Sequence, residues 1–148
     1  MLKQRLYDYC CQLAENRISS IQGAIEDAQG SANNETKSTA GDKHDTARAM
    51  MQLEVEQKSK QLAEAKKLKM ALAQFSPDSG SQEVMLGSLV KTSVGMYYIS
   101  ISIGKIEVEG QLFFAISPIS PIASSMLGLK VGDSFTFNGK QQTIKELH

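Results

Sequence analysis

The sequence predicts an α+β chain in two parts, a helical hairpin followed by a small antiparallel β domain, and three features of its 148 residues carry that expectation. Residues 1–76 contain no proline and are dense in Ala, Gln, Glu, Lys and Leu, which lose little on entering a helix. From Leu86 onward the apolar period shortens from three or four residues to two. Between these stretches, Ser76-Pro77-Asp78-Ser79-Gly80-Ser81 sets a proline, which disfavours the α conformation at the residue before it, among glycine and serine. The domain boundary is placed there, giving domains 1–76 and 77–148.

In the first domain, Leu2, Leu6, Cys10, Leu13, Ile18, Ile21, Ile25 and Ala28 recur at mostly three- or four-residue steps and lay an apolar stripe along one helix face. Ala47, Met51, Val55, Leu62, Ala65, Leu68, Leu72 and Phe75 repeat the pattern, with Lys58 interrupting the stripe. Residues 30–41 are small and polar, with a glycine at each end, and are expected to form a turn rather than an element. Two stripes joined by one turn hide their apolar faces by folding back on each other, which predicts an antiparallel coiled-coil hairpin. At about 1.5 Å per residue, a second helix over residues 42–75 is a rod of about 50 Å with its tip far from the rest of the molecule.

In the second domain, Tyr97, Ile99, Ile101 and Ile103 alternate with Tyr98, Ser100 and Ser102, the pattern of a strand with one buried face and one tyrosine ring on each side. Leu112, Phe114 and Ile116 repeat it after a turn at Glu109-Gly110. Phe135 to Phe137, then Asn138-Gly139, then Lys140 to Leu147 reads as a hairpin with a type I′ turn. One short helix interrupts the strands. Ser120 caps it, Pro121 takes the first helical position where a missing N–H costs nothing, and Gly128 ends it in the left-handed conformation. Ile122, Met126 and Leu129 are expected to pack it on the sheet.

Charge and composition exclude several classes. Lys plus Arg and Asp plus Glu number 16 each, and they divide as 11 and 10 in residues 1–76 and 5 and 6 in residues 77–148. With no basic stripe in either half, sequence-specific DNA binding and attraction to an acidic membrane are not expected. No run approaches the roughly 18 apolar residues that span a bilayer, and the start lacks a secretory stretch, so a cytoplasmic protein is expected. Cys10 and Cys11 are adjacent, which suits neither a disulfide framework nor a zinc site of usual spacing, and both read as packed or surface thiols. No nucleophile elbow, phosphate-cradling glycine motif or HExxH helix is present, so the chain is not expected to be an enzyme by itself.

One segment carries possible metal chemistry. In Gly41-Asp42-Lys43-His44-Asp45-Thr46, the aspartates are three apart at a helix start, where side chains three positions apart share a face. Magnesium takes one or two protein carboxylates and fills its octahedron with water or phosphate oxygens, so Asp42 and Asp45 can complete a Mg²⁺ site that a partner provides. Alternatively, Asp42 caps the helix and does nothing more. His44 reads as a solvated residue, and Met50-Met51 as core or adaptable contact surface.

Two segments together resemble a family. Ile116-Ser117-Pro118-Ile119-Ser120-Pro121-Ile122-Ala123, continued through Met126-Leu127-Gly128-Leu129 to Val131-Gly132-Asp133, resembles the C-terminal signature of the bacterial transcript cleavage factors GreA and GreB. There a Ser-Pro-(Ile/Val)-(Ala/Gly) turn and helix precede Leu-(Leu/Ile)-Gly-Lys and a Val-Gly-Asp turn. Gly41-Asp42-Lys43-His44-Asp45-Thr46-Ala47-Arg48 is similar to the family's Gly-Asp-x-x-Glu-Asn-Ala-Glu, with Asp45 in place of its Glu, Thr46 in place of its Asn and, just beyond, Ala49 where it usually has Tyr. The resemblance implies an FKBP-like C-terminal domain, and a hairpin that enters the secondary channel of a backtracked RNA polymerase while the C-terminal domain grips the channel's rim. It implies that Asp42 and Asp45 act at the catalytic centre and help hold a second Mg²⁺ shared with the polymerase active site. The free protein then needs no tightly bound cofactor, and nascent RNA is met only within the polymerase complex. Gly41, Thr46, Ser120 and Pro121 fall on partner-binding positions. The alternatives are a channel-binding regulator that inhibits or retunes the polymerase without cleavage, a coiled-coil adaptor unrelated to polymerase, and a prolyl isomerase, which needs an aromatic-lined pocket.

Overall fold

The computed structural model describes residues 2–38, 42–78 and 80–148, with the side chains of residues 31–38 and 42–45 outside that description. Two long helices, α1 (Leu2–Ser38) and α2 (Asp42–Leu72), precede β1 (Leu89–Thr92), β2 (Met96–Ile99), β3 (Gly104–Val108) and β4 (Gln111–Ile116). A short helix α3 (Pro121–Met126) then leads to β5 (Ser134–Phe137) and β6 (Lys140–Leu147). The expected α+β architecture, a helical hairpin followed by a small sheet with one short helix, is the one observed. The chain divides into two compact units: residues 12–69, and residues 1–11 together with 70–148.

In the first unit α1 and α2 run antiparallel, with Lys69 Nζ 2.6 Å from Glu15 Oε1. Ala14, Ile18 and Ala28 of α1 and Ala65 of α2 are buried. Met51, Val55, Leu62 and Leu68 are half-buried, as the stripe predicts. Lys58 is half-buried with them, since a lysine stem can lie along apolar surface while its ammonium reaches water. One expectation is overturned: α1 does not leave the helix at Gly30 but continues to Ser38. A glycine costs a helix interior about 1 kcal/mol relative to alanine, and Ser, Asn and Thr cost less, so without a proline nothing in residues 30–38 forbids helix.

In the second unit the six strands form one sheet in the order β3-β4-β2-β1-β6-β5. Its turns follow local chemistry: Glu109 and Gly110 join β3 to β4, Asn138 and Gly139 join β5 to β6, and all four have positive φ, as type I′ turns require. The expectation of a wholly antiparallel sheet is corrected, because β2 and β4 pair in parallel, Tyr97 opposite Phe114. Residues 100–103 carry the chain past one position, so β3 takes the edge and its hairpin partner β4 returns beside β2.

Both faces of this sheet carry a packed layer. On one, Val90, Tyr97, Ile99, Phe135 and Ile144 pack with Val84 and with Ala123 and Met126 of α3, while Ile122 and Leu129 lie partly buried against them. On the other lies Tyr98, whose ring meets Phe75 edge-on at 6.3 Å, and Phe75 in turn meets Tyr7 at 5.5 Å. Tyr7 donates a hydrogen bond from its hydroxyl to the Leu72 carbonyl at 2.8 Å. The first turns of α1 and the end of α2 therefore supply a second apolar layer, with Leu6, Cys10 and Leu72 buried. This layer overturns the expectation that one tyrosine of the pair points outward, since Tyr97 and Tyr98 are both buried. It also inverts β4: Phe113 and Ala115, on the Tyr98 side, are fully buried, while Leu112 and Phe114 remain partly exposed.

Burial pushes the Cys10 thiol up to about 11, against an opposing hydrogen bond from Ser100 and with a smaller push from Cys11. A thiol that holds its proton more tightly when folded stabilises fully below the unfolded pKa near 9, and that contribution is lost as pH rises toward 11. Stability should fall by about 1.4 kcal/mol per pH unit across that window. Urea melts from pH 8 to 10, below the range where the raised Tyr7 and Tyr98 hydroxyls add a loss of the same sign, should show this slope, and Cys10→Ala should flatten it. An unchanged slope in the variant would assign the loss to other groups.

Candidate functional site

The residues singled out from the sequence fall in three places. Gly41 and the side chains of Asp42 and Asp45 lie outside the described residues, and of these positions the backbone of Asp42 and Asp45 forms the first turn of α2. Thr46, one residue on, is exposed. In the second unit, Ser120 and Pro121 begin α3. The Ser120 hydroxyl donates to the Ser117 carbonyl at 2.6 Å and accepts from the Ala123 N–H at 3.4 Å, and Pro121 occupies the first turn. Ser120 thus uses its side chain to cap the helix, as its sequence position predicts. Gly128 and Gly132 follow with φ of 83° and 94°, the conformation in which glycine turns the chain at no steric cost. Next to the cap, Ile119 is 88% exposed, an apolar side chain held out on the turn before α3.

A third place was not foreseen. A six-residue helix is about 9 Å long and cannot cover a sheet of six strands spaced at about 4.8 Å. The uncovered part of the α3 face is a shallow hollow of about 300 Å³ walled by Tyr97, Phe114, Ile116, Ile122 and Phe137, with Asn138, Lys140 and Gln142 completing it. The Tyr97 and Phe114 rings lie 5.8 Å apart. The sequence lists these aromatics but does not assemble them, because they come from three strands and their shared face depends on the parallel β2–β4 register.

Gln142, only 4% exposed, is held by a network whose donors can be assigned. Thr92 Oγ1 accepts the N–H groups of Val94 at 3.1 Å and Gly95 at 3.2 Å, which fills its two lone pairs. Its one proton remains to be donated, and the nearest acceptor is Gln142 Oε1 at 2.8 Å. The Tyr97 hydroxyl donates to the same oxygen at 3.3 Å. The carboxamide oxygen therefore faces the network, and its NH₂ is the end with hydrogens to give.

No protein-family model matches this sequence, and no curated protein matches it. Among solved structures, the chain is similar to GreA factor homolog 1 (Gfh1) of Thermus thermophilus, at 16% identity and a TM-score of 0.38, over 93% of this chain and 94% of that one. It is also similar to a second structure of the transcription factor Gfh1, at 16% identity and a TM-score of 0.36, over 91% and 89% of the two chains. Likeness this distant assigns no activity. No helix among the described residues is long and apolar enough to cross a membrane.

Proposed function

We propose that this chain is a transcript cleavage factor of the GreA/GreB type, which binds RNA polymerase and brings Asp42 and Asp45 to the polymerase active site through the secondary channel. The observation that carries the proposal is the course of residues 116–133: the segment that resembles the family signature folds as a strand end, a Ser120-capped helix and two glycine turns, behind an N-terminal helical hairpin. In this reading the chain has no catalytic pocket of its own. The polymerase cuts its transcript, and nascent RNA is met only inside that complex.

Two carboxylates at positions 42 and 45, on the first turn of α2, are a donor set suited to a hard cation such as Mg²⁺. A second Mg²⁺ bound there with the polymerase's own ligands supplies a polarised water for phosphodiester hydrolysis. The task of this chain is to hold two oxygens in place, with Gly41 and Thr46 shaping the approach, and to grip the polymerase through the surface around Ser120 and Pro121. Asp45 and Ala49 at the family's Glu and Tyr positions favour one second reading, a factor that occupies the channel and retunes the polymerase without cleavage.

The test adds purified protein and Mg²⁺ to a stalled, backtracked elongation complex carrying end-labelled RNA. Shortening of the RNA well above the intrinsic rate is expected. Slower nucleotide addition without shortening would select the second reading, and failure to retain polymerase on the immobilised protein would reject both.

A further inference from the structure

Two carboxylates and one Mg²⁺ sum to zero charge. A phosphodiester that joins them brings a negative charge, which builds on the phosphoryl oxygens during hydrolysis, and the carboxylates alone offer it only repulsion. Arg48 is placed to offset that charge. It follows Asp45 by three residues on α2, and side chains three apart on a helix have Cβ atoms about 5–6 Å apart. Helical side chains lean toward the helix N-terminus, so a residue at 48 covers the turn that carries position 45. Arg48 is exposed, borders an interhelical groove with Ala28, Gln29 and Met51, and makes no ion pair among the described residues. Glu56, which borders the same groove, stands about 12 Å further along α2. The next cation among the described side chains of α2 is Lys58, about 15 Å along, too far to serve the same phosphate.

We propose that Arg48 binds the scissile phosphate of the transcript, its planar fork of N–H donors taking the non-bridging oxygens while Asp42 and Asp45 serve the metal. The proposal rests on the polymerase reading and names the group on the RNA that the hairpin tip recognises. Arginine–phosphate pairs are charge-assisted and bidentate, and a donor fixed where charge develops acts more strongly on the transition state than on the ground state. The bond changes remain those of hydrolysis: water oxygen bonds to phosphorus, one P–O ester bond breaks, and the leaving oxygen takes a proton. Arg48 stays protonated throughout and transfers nothing.

The test uses the full chain at saturating concentration on a backtracked elongation complex with end-labelled RNA, with Mg²⁺ titrated. Arg48→Gln keeps a residue that favours helix on an exposed face. It should lower the maximal cleavage rate about tenfold or more, and leave retention of polymerase unchanged. The half-saturating Mg²⁺ concentration should stay the same or fall, because a cation beside Mg²⁺ repels it. Arg48→Lys keeps the charge without the fork and should recover part of the rate. A readout without cleavage places 4-thiouridine at the scissile position in Ca²⁺, where illumination should crosslink the RNA to residues 46–52. Parental rate in Arg48→Gln overturns the proposal and leaves the polymerase reading standing, as do crosslinks confined to other segments. A lower rate with a raised Mg²⁺ requirement overturns it too, since Arg48 then acts by positioning the carboxylates. Loss of polymerase retention in Arg48→Gln makes the residue a contact to polymerase, with the same result. A parent that leaves the RNA uncut overturns both this proposal and the reading it rests on.

Discussion

Replacing Asp42 and Asp45 together by alanine is expected to abolish stimulated transcript cleavage, lowering its rate at least about 100-fold, while binding to polymerase changes little. The size follows from the role proposed: a metal site completed by two carboxylates loses both oxygens, and misplacement of a catalytic group by about 1 Å already costs about 100-fold. Binding survives because the grip is assigned to the other unit. Asp42 begins α2, however, and aspartate is favoured at helix starts for capping alone, so alanine would mix that effect with loss of a metal ligand. Asparagine separates them. It caps about as well as aspartate but is a neutral and far poorer ligand for Mg²⁺. The Asp42→Asn, Asp45→Asn variant should keep the parental melting temperature and still fail to stimulate cleavage. If asparagine restores cleavage that alanine removes, the aspartates act through the helix start and the metal role is wrong. If both variants cleave like the parent, neither residue matters.

How much of this was legible in the sequence depended on how local the cause was. Ser120, Pro121 and Gly128 fix α3 through backbone groups within a few residues, and Asn138-Gly139 fixes its turn by positive φ alone, so each was read correctly from spacing. Tyr98 could not be placed, because the layer that buries it comes from Leu6, Cys10, Leu72 and Phe75, more than twenty residues away in sequence at the nearest. Alternation announces one buried face and is silent about a second layer contributed from elsewhere. The parallel pairing of β2 with β4 has the same origin, being a choice of topology that no strand records in its own residues. Gln142 was overlooked for a related reason. A glutamine between Gln141 and Thr143 reads as surface, and its burial comes from Thr92 and Tyr97, 50 and 45 positions earlier. At Gly30 the error was one of magnitude, a penalty of about 1 kcal/mol treated as a stop.

That borrowed layer yields the second large effect. A fragment beginning at residue 77 keeps all six strands and α3 but loses residues 1–11 and 70–76, which belong to the same compact unit. It would expose the Tyr98 face and forfeit the burial of Leu6, Cys10 and Leu72, at roughly 1.5–3 kcal/mol for each large apolar side chain. The Tyr7 hydrogen bond to Leu72 and the Tyr7–Phe75–Tyr98 ring contacts go as well. A total near 5–8 kcal/mol matches the whole stability of many domains of this size. The fragment 77–148 is therefore expected to lack a cooperative thermal transition in near-ultraviolet circular dichroism. A chain in which residues 1–11 and 70–148 are kept and 12–69 are replaced by a short Gly/Ser linker should regain that transition, since the apolar layer is restored without the rest of the hairpin. A fragment 77–148 that melts cooperatively at the parental midpoint would mean that the sheet needs only α3, and that the helical residues packed on Tyr98 contribute little to its stability.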